Sequence, residues 1–329
     1  MRTRNFGTTD LRCSEVGFGT WALGSNWWGD VSKDDGVGLI HRALELGITF
    51  FDTGDVYGKG ANEEIVARAL AGVPRESVQI STKFGYVLDA GRQEHSQGER
   101  PQDWSPEHAR NSLEASLRRL DTDYVDLLQL HNPRMDAIGR DDLFAELETL
   151  RDEGKLRHFG VALGPAIGWR DEGMRAIAEH DITSIQTVYN VLEQDPGRDF
   201  LAAAERKGAG VLARVPTSSG LLEDKHTLET TFPKHDHRSH RPREWLVDGL
   251  QKVERLRFLC EEHGITMAQA ALKFIFAQPA IASVLPTVSN AEDLEEWAAA
   301  SDAPDLTAGD LEQIAELYER NFDVEPVRA

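Results

Sequence analysis

Residues 49–58 read Thr49-Phe-Phe-Asp-Thr-Gly-Asp-Val-Tyr-Gly58. Thr49 to Phe51 is a β-branched and aromatic run of the kind that forms a buried strand, and it stops abruptly at Asp52 and a glycine-bearing loop. In a closed parallel barrel, catalytic groups project from the C-terminal ends of strands. A carboxylate at that border and a phenol a few residues on can therefore share one pocket. An Asp that opens a loop is more often a turn former, so the stretch gains weight only if other strands end in the same way.

Working outward, seven more strand signals recur: Glu15-Val-Gly-Phe-Gly19, Val78 to Lys83, Val125 to His131, Phe159 to Ala162, Ser184 to Asn190, Gly210 to Val215 and Ile281 to Pro286. Helical stripes fall between them, such as Val37, Ile40, Ala43 and Leu44, or Ala109, Leu113, Leu117 and Leu120 behind a Ser105-Pro106 cap. Further helices are expected over 63–70, 143–150, 170–180, 199–207, 245–263, 267–277, 292–299 and 308–320. Residues 1–13 read as a hairpin turning at Gly7-Thr8-Thr9-Asp10, placed to plug a barrel floor. Eight strands alternating with helices, without a linker-like break, predict one (β/α)8 TIM barrel over residues 1–329, with the hairpin in front and extra helices at the C-terminal end. A doubly wound two-domain chain is the alternative, but no strand runs into a GxGxxG turn to open it.

Composition narrows the function. With 36 basic against 56 acidic side chains the net charge is -20 and the pI about 5.0, which disfavours nucleic acid as a partner. No apolar run approaches the roughly 18 residues of a membrane span, and the N-terminus lacks the apolar segment of a signal peptide, so a cytoplasmic location is expected. Cys13 and Cys260 are the only cysteines and have no metal-ligand spacing. Nine lysines among the 36 basic residues leave 27 arginines. A Lys-poor acidic surface suits a cytoplasm rich in salt, where charge is screened within about 3 Å at 1 M; GC-rich codon bias is the competing account. Oligomeric state leaves no trace in the sequence.

Placed on a barrel, the polar strand-end residues converge. Asp52 follows the second strand with Tyr57 in its loop, Lys83 ends the third, and His131 ends the fourth. A Lys on a buried strand requires a carboxylate, which Asp52 can supply. An ammonium beside a phenol stabilises the phenolate, so Tyr57 can give up a proton, and His131 can orient the reacting oxygen. Such a set polarises a carbonyl and protonates the oxygen after hydride reaches carbon, without a metal. Each residue alone reads as a satisfied polar group under a loop; four at three neighbouring strand ends read as a site.

Phe51-Asp-Thr-Gly-Asp-Val-Tyr-Gly58, Thr82-Lys-Phe-Gly85, Leu128-Gln-Leu-His131 and Gly154-Lys-Leu-Arg157 resemble the signature segments of the aldo-keto reductases, and the similarity runs from Gly17-Phe-Gly-Thr-Trp21 to Leu294-Glu-Glu296. The resemblance implies a TIM barrel, an extended NADP(H) across its mouth, a small carbonyl or alcohol substrate, and a catalytic tetrad of Asp52, Tyr57, Lys83 and His131. It also implies cofactor contacts at Gly19, Thr20, Trp21, Asp52, Gln186, Ser219 and Glu296.

The departures from the family pattern are specific. Strand five ends Gly160-Val-Ala-Leu163, where the family has polar side chains that hold the nicotinamide amide. Strand seven carries Arg214 where the family has an aromatic stacked on the nicotinamide; a guanidinium can stack, bind a substrate carboxylate or phosphate, or pair with a barrel acid. The loop after strand eight offers Ser289 and Asn290 but no Lys or Arg for a 2′-phosphate, which leaves NAD(H) as an alternative to NADP(H). Trp28, beside Trp27, is placed to line a substrate pocket, with core packing as the other reading. His235-Asp-His-Arg-Ser-His-Arg241 holds three histidines, but nothing completes a zinc spacing; a loop over a nucleotide or a solvated segment is expected, and no metal ligand is assigned. The altered nicotinamide site also motivates a second class of function, a nucleotide-sensing regulatory subunit with little turnover.

Overall fold

The computed structural model describes residues 1–23, 31–88, 100–164 and 169–325. Trp27 and Trp28 lie outside the described residues. Strands β1 (Thr3–Asn5) and β2 (Arg12–Ser14) pair antiparallel as the expected hairpin. The next eight are β3 (Phe18–Gly19), β4 (Phe50–Asp52), β5 (Gln79–Phe84), β6 (Val125–His131), β7 (Leu156–Ala162), β8 (Ser184–Val188), β9 (Gly210–Arg214) and β10 (Ile281–Leu285). They form one sheet in sequence order. Every neighbouring pair is parallel, and parallel bridges from Val16 to Val284 and from Gly19 to Thr287 join β3 to β10. The expected (β/α)8 barrel is the observed fold.

Strand residues alternate between two environments. On β5 and β6, Ile80, Phe84, Leu128 and Leu130 join the large apolar layer between barrel and helices, whereas Leu127 belongs to a separate cluster inside the barrel with Phe50, Leu212 and Ala282. Phe6, Leu11 and Cys13 of the hairpin complete that inner cluster, so the hairpin seals the floor with buried apolar area, about 1.5–3 kcal/mol for a large side chain. Its turn fits closely beneath the barrel. Gly7 has φ +53°, and a Cβ there would fall 1.9 Å from the Gly208 carbonyl oxygen, so a larger residue is excluded both by conformation and by space.

Helices α1 (Lys33–Glu45), α2 (Ala61–Leu70), α3 (Pro106–Leu120), α4 (Met135–Ile138), α5 (Asp141–Asp152), α6 (Arg170–Glu179) and α7 (Gly197–Lys207) fill the crossovers up to β9. Ser105 caps α3 as expected, its hydroxyl accepting from the His108 amide at 3.2 Å. The helix expected over 245–263 is two, α8 (Arg243–Glu254) and α9 (Arg257–His263), followed by α10 (Met267–Phe276). Leu256 sits at the break and is fully buried, so the apolar period runs on through a turn and conceals it. Helices α11 (Ala291–Ala299) and α12 (Ala308–Glu319) follow β10. Among the described residues no helix is long and apolar enough to cross a membrane.

Candidate active site

Parallel register decides which side chains meet. Asp52 pairs with Ser81, and Lys83 with Gln129, so the inward residues of β4, β5 and β6 stack toward one mouth. Lys83 is fully buried and its ammonium donates to Asp52 Oδ2 at 2.6 Å and to the Thr53 carbonyl at 2.7 Å. It also lies 4.9 Å from the centre of the Tyr57 ring. Burial alone would lower the Lys83 pKa, but the Asp52 carboxylate and Tyr57 outweigh it and hold the group above its ordinary value. The second oxygen of Asp52 accepts from Ser81 Oγ at 2.9 Å and Gln129 Nε2 at 3.2 Å. The carboxylate is thereby fixed as well as paired.

Tyr57 opens a short turn after the β4 loop and is half-buried. Its ring meets His131 edge-on at 5.7 Å, and Tyr86 flanks His131 from another side at 5.1 Å. Burial, then the Lys83 and Arg214 charges, push the His131 pKa well below its usual value, so the imidazole is uncharged at neutral pH. Its Nδ1 is buried without a partner among the described residues. The four expected residues therefore lie together at one mouth.

A second ionic layer, invisible to the local pattern, stands behind this set. Glu63 of α2 is fully buried, accepts from Thr82 Oγ1 at 2.6 Å and pairs with Arg119 of α3 at 2.5 Å. Asp55 is buried beside it; burial and the Glu63 charge push its carboxyl up to about 8. Only the quoted Asp-Thr-Gly-Asp motif hinted at Asp55, and nothing local marked Glu63 or Arg119, which are 56 residues apart.

The remaining expected contacts divide. Thr20 is buried and its hydroxyl donates to the Asp52 carbonyl at 3.1 Å, which ties β3 to β4 beside Gly19. Trp21 meets His237 edge-on at 5.0 Å, so the histidine segment folds back over the mouth. Burial and the neighbouring His240 and Arg241 hold His237 down to about 4. Three potential metal donors converge, among the described residues, only at Glu262, His263 and Asp310, away from that segment; His263 there hydrogen-bonds Asp310, a capping residue of α12. Gln186 on β8 is 3% exposed with its Nε2 unpartnered. Arg214 ends β9, half-buried, and donates from Nη2 to the Leu163 carbonyl at 3.0 Å. Among the described residues it pairs with no barrel acid, one of the three roles open to it.

Farther out, Ser219 is buried in a left-handed conformation. Asn290 caps α11, accepting from the Asp293 amide at 2.9 Å, with Ser289 beside it. Glu296 is half-buried on the same helix. The loop lacking a cation in its own sequence is reached by one from elsewhere: Lys225, in the segment after β9, contacts Asp293 and lies 3.8 Å from Glu223. Both carboxylates offset its charge.

A family model described as the aldo/keto reductase family matches residues 15–319. A probable aldo-keto reductase from Glycine max is 31% identical over 315 residues, covering 94% of this chain and 87% of that protein. An uncharacterized oxidoreductase from Bacillus subtilis is 31% identical, covering 95% of each chain. Among solved structures, a glycerol dehydrogenase from Gluconobacter oxydans has a TM-score of 0.82 at 30% identity, covering 99% of this chain and 98% of its own. The holo form of an aldo-keto reductase from Bacillus halodurans has a TM-score of 0.77 at 27% identity, covering 96% of both chains.

Proposed function

The chain belongs to the aldo/keto reductase family, and from that premise we propose that it interconverts a small aldehyde, ketone or sugar carbonyl and its alcohol, with Tyr57 as the general acid and base. The observation that carries the reading is the buried Lys83 ammonium, held at 2.6 Å by Asp52 and 4.9 Å from the centre of the Tyr57 ring. In a site shielded from water, an ammonium so fixed stabilises negative charge on the phenol oxygen. Tyr57 can then deliver its proton to a carbonyl oxygen, or take one from an alcohol. Uncharged His131 can hydrogen-bond the same oxygen and orient it without competing as an acid.

A nicotinamide cofactor suits the residues present. The buried, unpartnered Gln186 Nε2 lies within β8 and Arg214 ends the neighbouring β9, two residues farther along the register, an amide donor and a flat cation that a nicotinamide carboxamide and ring can satisfy. Gly19, Thr20, Trp21, Ser219, Ser289, Asn290 and Glu296 are the residues read as holding the rest of the molecule, and Trp28 as lining the substrate side. When bound, the cofactor supplies or accepts hydride. The family default is NADP(H). The neutralised Lys225, the acids around it and the capping role of Asn290 weaken the case for a 2′-phosphate site, so NAD(H) is the alternative.

Titration of NADH and NADPH by tryptophan-fluorescence quenching, followed by turnover across aldehydes, ketones, sugars and alcohols including glycerol, tests the proposal. Tyr57→Phe should keep cofactor binding and lose about 10²–10⁴-fold in kcat; undiminished turnover would overturn the role of Tyr57. A nucleotide-sensing function is favoured by one feature, the buried apolar Ala162 and Leu163 at the end of β7. Tight cofactor binding with no turnover across the panel would select it.

A further inference from the structure

We infer that Arg214 discriminates between the two redox states of the nicotinamide cofactor, favouring the uncharged reduced ring over the cationic oxidised one. The inference rests on the function proposed above and gives that site a direction of bias. Lys83 is compensated by Asp52 at 2.6 Å. His131 is uncharged, for the reasons given. Arg214 differs from both.

Among the described residues Arg214 forms no ion pair, and its one described hydrogen bond goes to a neutral carbonyl, Leu163 O. The two carboxylates nearest in effect, Glu193 and Asp52, are engaged elsewhere. Asp52 is bound to Lys83, and Glu193 accepts from Asn190 Nδ2 at 2.8 Å and Ser218 Oγ at 3.1 Å. An arginine stays protonated even when half-buried. The mouth therefore holds a partly desolvated positive charge within electrostatic reach of Tyr57, with no bound counter-charge among the described residues.

Strand β8 runs beside β9. Gln186, almost wholly buried, leaves its Nε2 donor without a partner, and such a group costs stability unless something satisfies it. A planar heteroaromatic amide meets both needs, its carbonyl accepting from Gln186 and its ring lying against the planar guanidinium. Reduced and oxidised nicotinamide have nearly the same shape but differ by one positive charge on the ring. Shape-based contacts bind the two forms alike; only a nearby charge separates them, and a cation separates them in favour of the reduced form.

The competing role for an uncompensated guanidinium is to grip an anion, whether a cofactor phosphate or an acidic substrate. It makes a different prediction, because both redox forms carry the same phosphates. The test uses the intact chain, wild type, Arg214→Gln and Arg214→Lys, titrated with NADH, NAD+, NADPH and NADP+ by protein-fluorescence quenching. Expected is a ratio of oxidised to reduced Kd at least tenfold larger in wild type than in Arg214→Gln, with Arg214→Lys between them. Both forms weakening by the same factor in Arg214→Gln, so that the ratio stays within twofold, overturns the inference in favour of an anion grip. The midpoint potential of the bound couple reads the same bias: it should lie at least about 30 mV higher on wild type than on Arg214→Gln, the equivalent of that tenfold change in ratio for two electrons. An equal or lower potential refutes the bias. Failure of wild type to bind either couple overturns the proposed function itself and this inference with it, whereas binding with an unbiased ratio overturns the inference alone.

Discussion

Asp52, Lys83 and Gln129 on one side of the mouth, and Ala162, Gln186 and Arg214 on the other, end or line strands of one barrel, yet their polar groups find partners in different places. On the β4–β6 side each charge meets its opposite inside the protein: Lys83 with Asp52, and Glu63 with Arg119. On the β7–β9 side the guanidinium meets a carbonyl, the amide of Gln186 meets nothing described, and Ala162 offers no polar atom. Both sides hold buried polar groups, which cost free energy unless bonded. The first side has paired its charges before any ligand arrives and acts on protons, although His131 Nδ1 and Gln129 Oε1 there stay unpartnered, whereas the second leaves its cation and the Gln186 donor to what binds. Substitutions on the two sides should therefore fail differently.

The largest effect is expected from Lys83→Met. It leaves Asp52, 5% exposed, as a buried carboxylate without its cation, a loss of about 3–5 kcal/mol in unfolding free energy, and it removes the group that stabilises the Tyr57 phenolate. Turnover should fall by about 10³-fold or more, while Tyr57→Phe, which strands no charge, should lose activity at nearly unchanged stability. Urea unfolding of both variants and of Asp52→Asn/Lys83→Met decides the matter. The double variant should recover most of the stability and none of the activity, because a neutral pair no longer buries an orphan charge. Equal stability of Lys83→Met and wild type would remove the contrast between the two sides.

A smaller effect concerns Asp55 behind the same strands. Its carboxyl is raised to about 8 in the fold against about 3.9 unfolded, so between those values the folded chain binds one proton more than the unfolded chain. Stability from this group is present at low pH and is lost as pH rises toward 8, with a slope of up to about 1.4 kcal/mol per pH unit. Asp55→Asn, which keeps the neutral shape, should flatten that slope and be the more stable protein at pH 8. Parallel unfolding curves at pH 5.5, 7 and 8 check it; identical pH dependence in variant and wild type would mean that Asp55 ionises freely in the fold.

The sequence exposes the first side far better than the second. A strand's C-terminal end is a local pattern, so β6 is legible from Val125 to His131 to the residue, and the barrel places Asp52, Lys83 and His131 at one mouth once eight strands are counted. Long-range pairing leaves no such mark. Lys225 reaches Asp293 across 68 residues, and Glu63 reaches Arg119 from another helix. Leu256 keeps the helical period through a break. Arg214 illustrates the limit most clearly: residue type permits stacking, anion binding or an acid partner, and only coordinates show which carboxylates are already taken.

Gln186→Leu sets the lower end of the scale and bears most directly on the contrast. Leucine nearly matches the side chain in volume but has no donor. If the Gln186 amide has no partner within the protein, its removal strands nothing, and the penalty of burying an unsatisfied donor, about 1–3 kcal/mol in general, disappears. Stability should stay the same or rise by about 1 kcal/mol, the reverse in sign of Lys83→Met. Affinity for the nicotinamide cofactor should fall about tenfold, the worth of one hydrogen bond, and by the same factor for the oxidised and reduced forms, because an amide carries no charge. That last point separates Gln186 from Arg214, whose replacement should alter the ratio. A loss of more than about 2 kcal/mol in Gln186→Leu would show that its amide is bound inside the fold, and the two sides of the mouth would then be built alike.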